Sequence, residues 1–403
     1  MNHSLSISST QKPPTNSPIV NQSQLIFKQL TILCLEMLAA LPLGWGLTKL
    51  HFGGISWIFG GIAAGTAILQ GCRIFYNYSP KPNRTARKVG MGLVGLTVGA
   101  SNANSNIMSL AAGVPIFIFL TLFLLLCGVG IGYLYSRLTK TNILTAMLAT
   151  VPGGVGVMSS IAADYNRNVT LVALVQAIRV TSVVLLIPFI ARTSVGNSWM
   201  PPLPIKGVLI DFAPLQLELL AVVLLLTGII VYLAIVLNIP AGDFFGALVL
   251  GATFNSLLHY LPFASDIQFH PPLLVNIIGQ ILLGITIGEY WGEKPNFGKR
   301  TVGYALMSVA MTLVAGAIAA IIATQLTSWD WLTCLLVTAP GGSAEMILVS
   351  LALHHNVEVV TAGHLIRLIA INSSLPLWLF LFRRLDGEWG DGGVGGDEGV
   401  THP

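Results

Sequence analysis

Long apolar runs alternate with short polar interruptions along almost the whole chain. Runs of spanning or near-spanning length cover residues 27–49, 54–76, 88–104, 114–136, 142–163 and 169–192, then 215–238, 243–262, 273–290, 301–326, 331–353 and 358–382. A helix needs about 20 apolar residues to cross a bilayer, and in lipid only helices or closed barrels satisfy every backbone polar group. The pattern therefore predicts an all-α polytopic membrane protein with about 10–12 membrane segments. Residues 1–24 are rich in Ser, Asn, Gln and Pro and carry no apolar run, and residues 386–403 are rich in Asp, Glu and Gly; both read as disordered tails. A Pro-rich connector, 196–214, separates a first membrane unit, 25–195, from a second, 215–385.

The two units repeat one plan. Pro152-Gly153-Gly154-Val155-Gly156-Val157-Met158 returns as Pro340-Gly341-Gly342-Ser343-Ala344-Glu345-Met346. Laid on one another without a gap, residues 150–179 and 338–367 are identical at ten of thirty positions, against about two for unrelated sequences. The identities include Thr150 with Thr338, Asn168 with Asn356, and Arg179 with Arg367, and Pro188 with Pro376 falls on the same offset. Gly90, Gly95 and Gly99 likewise match Gly279, Gly284 and Gly288, small residues spaced for close helix packing. Pro removes a backbone donor and Gly lowers the cost of leaving helical geometry, so each copy should contain a broken or re-entrant helix. In a membrane such a break is tolerated only where protein or a wet cavity satisfies the freed groups, and a duplicated break points to a site.

Basic residues bear on how the copies are oriented. If the broken segment turns back, each half crosses five times, the copies are inverted, and among the loop cations only Lys49, Arg192 and Lys206 fall outside. If it crosses, six spans per half make the copies parallel, and Lys294, Lys299 and Arg300 move outside. The first arrangement is the expected one, with both termini cytoplasmic. The basic loop Lys81–Lys88 lies inside in either case and reads as a topology determinant.

Composition agrees with the pattern and removes several classes of function. Charged residues make up 9% of the chain and apolar ones 54%, with a mean hydropathy of +0.78, whereas an ordinary soluble domain is about 25% charged. The net charge of +4 sits in loops and tails and gives no nucleic-acid-reading module. Cys34, Cys72, Cys127 and Cys334 lie in apolar runs without metal or disulfide spacing. His354 and His355 are adjacent, with no carboxylate at ligand spacing. No catalytic constellation, cofactor motif or metal site is expected, and the protein is not expected to be an enzyme.

The candidate solute or ion site is the two breaks with the polar residues beside them: Pro152, Gly153, Gly154, Gln176 and Arg179 in the first copy, and Pro340, Gly341, Gly342, Ser343, Glu345, His364 and Arg367 in the second. Gln176 and His364 precede the arginines by three residues and share their helical face. Each arginine is read either as a ligand for an anion held at the break or as an internal bolt that donates to break carbonyls or to Glu345. Glu345 opens a helix in one copy only, Val157 being its counterpart. It either exchanges a proton or binds a cation, or it caps its own helix. Glu36, midway along the first run, lines a cavity or an interhelical contact. Asp243 reads as a helix cap, and Asp164, Asn166, Asn168 and His354 to Asn356 read as loop residues.

These residues resemble a known family. The duplicated Pro-Gly-Gly-x-x-x-Met segment, Gly-Gln-Ile-Leu-Leu-Gly-Ile-Thr-Ile-Gly at 279–288 and Ile-Pro-Ala-Gly-Asp-Phe-Phe-Gly at 239–246 are similar to the AbrB family of bacterial membrane proteins, characterised by the AbrB duplication. The resemblance covers 27–385. The second half matches better, since the first has no acid after its Pro-Gly-Gly and has Gly90-Met91 in place of Gly-Gln. It implies a multi-pass protein of the bacterial inner membrane with a role in regulation of gene expression. With no DNA-reading module, that role would be indirect, through transporter-like binding or movement of a small solute. The alternative is a secondary transporter of a small anionic metabolite with no dedicated regulatory role. An ammonia monooxygenase label, also attached to some members, comes last, because the eight histidines do not cluster into a copper or iron site.

Overall fold

The computed structural model describes residues 22–50, 52–78, 82–103, 113–194, 209, 213–260, 267–291, 298–353 and 355–390. The expected tails and connector fall largely outside these residues, as do Lys81, Glu293–Asn296 and His354. Fourteen α-helices and no strand occur among the described residues. In the first half they are α1 (Gln22–Lys49), α2 (Ser56–Tyr76), α3 (Arg84–Ser101), α4 (Val114–Thr139), α5 (Ile143–Thr150), α6 (Val155–Asp164) and α7 (Val169–Ser194). In the second they are α8 (Pro214–Val236), α9 (Gly242–His259), α10 (Leu273–Glu289), α11 (Lys299–Leu326), α12 (Trp331–Thr338), α13 (Ser343–Ala352) and α14 (Val357–Gly390). A 3₁₀ turn, Gly53–Ile55, precedes α2.

Most bounds fall near where the apolar runs begin and end, and polar caps fix four of the helix starts. Asn83 accepts from the Ala86 amide (3.0 Å), Asn142 from Leu144 (3.0 Å), Asn168 from Leu171 (2.9 Å) and Asp330 from Thr333 (3.1 Å). Two ends differ from expectation. α1 begins inside the expected N-terminal tail, and α14 continues to Gly390, past the end of the apolar pattern. Arg383, Arg384, Leu385 and Glu388 are good helix formers, so the helix outlasts the apolar run. At Asp243 the cap reading is corrected. The N-cap is Ala241, in the left-handed region at φ 51°, and Asp243 lies in the first turn, accepting from the Phe244 amide at 3.0 Å.

The helices form two packed groups. One contains α1–α3 and α8–α10; the other contains α4–α7 and α11–α14. Within the first group the principal crossings exchange helices between halves: α2 packs on α10 and α3 on α9. Glycines make these crossings possible. A Cβ on Gly99 would lie 2.0 Å from the Leu248 carbonyl oxygen, and one on Gly284 2.2 Å from that of Ile58. The groups meet where α13 packs on α3 and the 3₁₀ turn, and where α7 meets α10. Ile58, Met91 and Val94 there share an apolar core with Val183, Val184 and Met346, and Trp291 Nε1 donates to Thr181 Oγ1 at 3.0 Å. Outward faces are apolar; Leu38 on α1 and Leu225 on α8 are each 65% exposed, as expected of surfaces that meet lipid.

Candidate functional site

Each Pro-Gly-Gly separates two half-helices. The first break, Val151–Gly154, lies between α5 and α6; the second, Ala339–Gly342, lies between α12 and α13. At 8 and 10 residues the half-helices are about 12 and 15 Å long, too short to span a bilayer singly. Gly154 has φ 84°, a conformation that favours glycine. Gly342, at φ −70°, has no such need. The middle glycine instead makes room for a side chain, since a Cβ on Gly153 would fall 1.6 Å from Met158 Cε, and one on Gly341 3.3 Å from Met346 Cγ. Both methionines fold back over the break and are buried, which accounts for their recurrence in the motif.

The freed carbonyls are satisfied from the last helix of each half. In the first copy, Gln176 Nε2 donates to the carbonyls of Leu148 (2.8 Å) and Val151 (3.0 Å), and Arg179 Nη1 to that of Thr150 (3.1 Å). Arg179 Nη2 also donates to Gln176 Oε1 at 2.5 Å. In the second, Arg367 Nη1 donates to the Ala339 carbonyl at 2.8 Å and Nη2 to His364 Nδ1 at 2.6 Å, while His364 Nε2 lies 3.0 Å from the Leu336 carbonyl. A carbonyl only accepts and Nδ1 is already accepting, so His364 is the neutral Nε2–H tautomer. The break-carbonyl form of the bolt is thus realised in both copies, with Gln176 and His364 in one role. A pair that the repeat marks as an identity, without assigning it a role, completes the frame. The Thr150 hydroxyl lies 3.2 Å from the Gly128 carbonyl and the Thr338 hydroxyl 3.0 Å from that of Gly316, tying each break to α4 or α11. The shared offset of Gly128 and Gly316 was the available signal.

The breaks also approach the opposite half. A Cβ on Gly341 would lie 2.7 Å from Val183 of α7. A cavity of about 20 Å³ beside the first break is lined by Val151 and Met158 and, across from them, by Ile371, Leu375 and Trp378 of α14. Arg179 feels the positive charge of Arg367. Both are buried, at 3% and 6% exposure, and neither contacts a carboxylate among the described residues. Arg179 Nε is a buried donor with no acceptor among the described residues.

Glu345 is buried at 2% exposure in the first turn of α13. Its side chain folds back over Gly342, where a Cβ would meet Oε2 at 2.0 Å, and Oε2 has no hydrogen-bond partner among the described residues. The expected contact with Arg367 is not formed, because that guanidinium is engaged by Ala339 and His364. Arg87 of α3 feels Tyr290 most strongly and also Glu345 of α13 and Asp243 of α9. Sequence reasoning missed this grouping, since three distant helices supply it.

In the second copy the ends of the broken segment meet. His355, after α13, lies 3.1 Å from Asp330, the N-cap of α12, and Asn356 Nδ2 lies 3.4 Å from Asp330 Oδ1. The Thr333 hydroxyl also donates to Asp330. Burial alone would push the Asp330 carboxyl up; the Thr333 hydrogen bonds and His355 hold it below its ordinary range.

Seven helices (α1, α2, α4, α7, α8, α11 and α14) are long and apolar enough to cross a bilayer, so fold and site define a polytopic, all-helical membrane protein with broken helices. The chain belongs to the AbrB family, whose description, "Transition state regulatory protein AbrB", is matched by residues 57–383. It is 29% identical to "Uncharacterized protein YhjN" of Bacillus subtilis (strain 168), over 64% of this chain and 68% of that protein. It is 23% identical to "Putative regulator AbrB" of Escherichia coli (strain K12), over 72% of this chain and 80% of that protein. No solved structure matches.

Proposed function

We propose that the protein is a carrier of a small anionic solute in the bacterial inner membrane, and that any regulatory role its relatives' names imply follows from that movement. The observation that carries this reading is the charge at the breaks. Two buried guanidiniums hold the breaks without a described carboxylate partner, Arg179 feeling the charge of Arg367, and the half-helices α6 and α13 that leave the breaks add their positive N-terminal ends. In the first copy Val157 stands where the second has Glu345, and Arg179 Nε, with no acceptor among the described residues, is left as a donor for an anion.

Two further features favour movement over static binding. The meeting of Asp330 with His355 and Asn356 supports a segment that turns back, hence five crossings per half and inverted repeats. The matched crossings of α2 with α10 and α3 with α9 support the same pseudo-symmetry. Within it the halves differ: α13 is covered by α3 and the 3₁₀ turn, whereas α6 packs on α5 and α7 of its own half and leaves Val157 40% exposed. One break covered and its inverted counterpart open is the asymmetry alternating access requires.

Uptake into proteoliposomes, screened over small carboxylates and inorganic anions, tests the reading. Accumulation of one class of anion is expected; binding without uptake would leave a sensor, and neither would remove the proposal. A cysteine at Lys299 should label from the cytoplasmic side, and labelling from outside would restore the parallel arrangement. Glu345→Gln keeps size and hydrogen-bonding capacity. If Glu345 couples a proton to the solute, the pH dependence of uptake vanishes in this variant. If it is only a cap, uptake keeps its profile and stability falls by about 0.5–2 kcal/mol.

A further inference from the structure

Away from the breaks, the least satisfied charged group among the described residues is Glu36 of α1. It is 0% exposed, and neither carboxylate oxygen has a hydrogen-bond partner. Leu33 and Ala40, three residues before and four after, lie on the same helical face. That face packs with Ala64 of α2 and with Ile277, Ile281 and Ile285 of α10. Glu289 continues the α10 face one turn beyond Ile285 and is 4% exposed. Two titratable groups bear on Glu36 from the helices packed against it: the Glu289 carboxylate from α10, and the Cys72 thiol from α2. No cation is among them.

The two carboxylates, both buried, differ in one respect that ranks their affinities for a proton. Glu289 accepts the backbone N–H of Asn83, the N-cap of α3, at 2.8 Å, and a hydrogen bond to the charged form favours it. Glu36 has nothing comparable. An ionised carboxylate with neither counter-ion nor donor, among aliphatic side chains, costs several kcal/mol or more, and a second negative charge nearby adds to that cost. A metal ion does not resolve it, because hard cations take six or more oxygen ligands, and among the described residues no group of three or more His, Cys, Asp or Glu is assembled. A proton does.

We propose that Glu36 and Glu289 form a proton-binding site in which Glu36 carries the proton and Glu289, held by the Asn83 amide, remains the carboxylate. The pair thus has one proton and one negative charge. It lies between α1 and α10 and is distinct from the breaks, so it stands whether or not the protein proves to be a carrier.

Infrared difference spectroscopy on the full chain in lipid nanodiscs tests the assignment without any solute. At neutral pH the wild type should show a protonated-carboxyl C=O band that exchanges slowly in deuterated water and bleaches on raising the pH, as a carboxylate band grows. Glu36→Gln should abolish it, Glu36→Met should do the same should the Gln variant not fold, and Glu289→Gln should retain it. A wild type without the band, or a band surviving both Glu36 variants, overturns the proposal. So does a band lost in Glu289→Gln and kept in Glu36→Gln, which would place the proton on the other carboxyl.

Discussion

Replacing Gly99 by valine should leave little or no correctly folded protein. The new Cβ would sit 2.0 Å from the Leu248 carbonyl oxygen and 2.9 Å from the Ala252 amide nitrogen, both in the α9 backbone. No rotamer relieves a clash with main chain, so α3 and α9 must part along their length. Overpacking a core commonly costs about 1–3 kcal/mol where side chains can shift; here only a helix can shift, and small residues are what allow such approach in a membrane. The fraction of protein recovered as a monodisperse peak after extraction reads the effect. Gly130→Val is the control, since a Cβ there meets nothing within 4 Å, and it should behave as wild type. Equal recovery of the two variants would mean that the α3–α9 crossing is not as close as described.

The second large effect is expected at Arg179, and it runs opposite to the inference the sequence invites. From sequence, the second copy, with Glu345 and His364, looks like the complete cluster, and Arg367 the more sensitive arginine. In the fold Gln176 does for Arg179 what His364 does for Arg367, and Glu345 contacts neither. Arg179 is the guanidinium left with an unpartnered buried Nε. Arg179→Lys retains the charge and loses the fork. A hydrogen bond to a charged group contributes about 1.5–3 kcal/mol, and each 1.4 kcal/mol is about tenfold in affinity. Anion binding by Arg179→Lys should therefore weaken by about one to two orders of magnitude, measured as the concentration giving half the maximal thermal shift. Arg367→Lys should be felt mainly in the melting temperature. The reverse pattern would assign the solute to the second break.

What is legible in the sequence depends on how local its physics is. Pro152 and Pro340 each remove a backbone donor and are followed by a Gly-Gly pair that lowers the cost of leaving the helix, so the breaks are legible, whereas Pro42, Pro188 and Pro376, without that pair, stay inside helices. Legible too is the shared face of Gln176 with Arg179 and of His364 with Arg367. The spacing of Gly90, Gly95 and Gly99 announces a close crossing but does not say with what, because a groove of small residues accepts any helix whose partner face fits. The grouping of Arg87, Asp243 and Glu345, and of Glu36 with Glu289, is beyond reach for the same reason. Thr150 and Thr338 stand out as identities; their hydroxyl contacts to α4 and α11 are tertiary. Asp243 looks like a cap because nothing in its neighbours reveals that the left-handed Ala241 moves the helix start two residues upstream.

The exchange of partners between halves constrains how the protein can be made. As the ribosome delivers α2 and α3 to the membrane, the helices that fill their grooves, α10 and α9, have yet to be synthesised. The first half must persist as a loose set of inserted helices until residue 289 has emerged, and a truncated first half should be a substrate for membrane proteases. Two separately encoded halves, supplied together, should rescue one another by co-assembly.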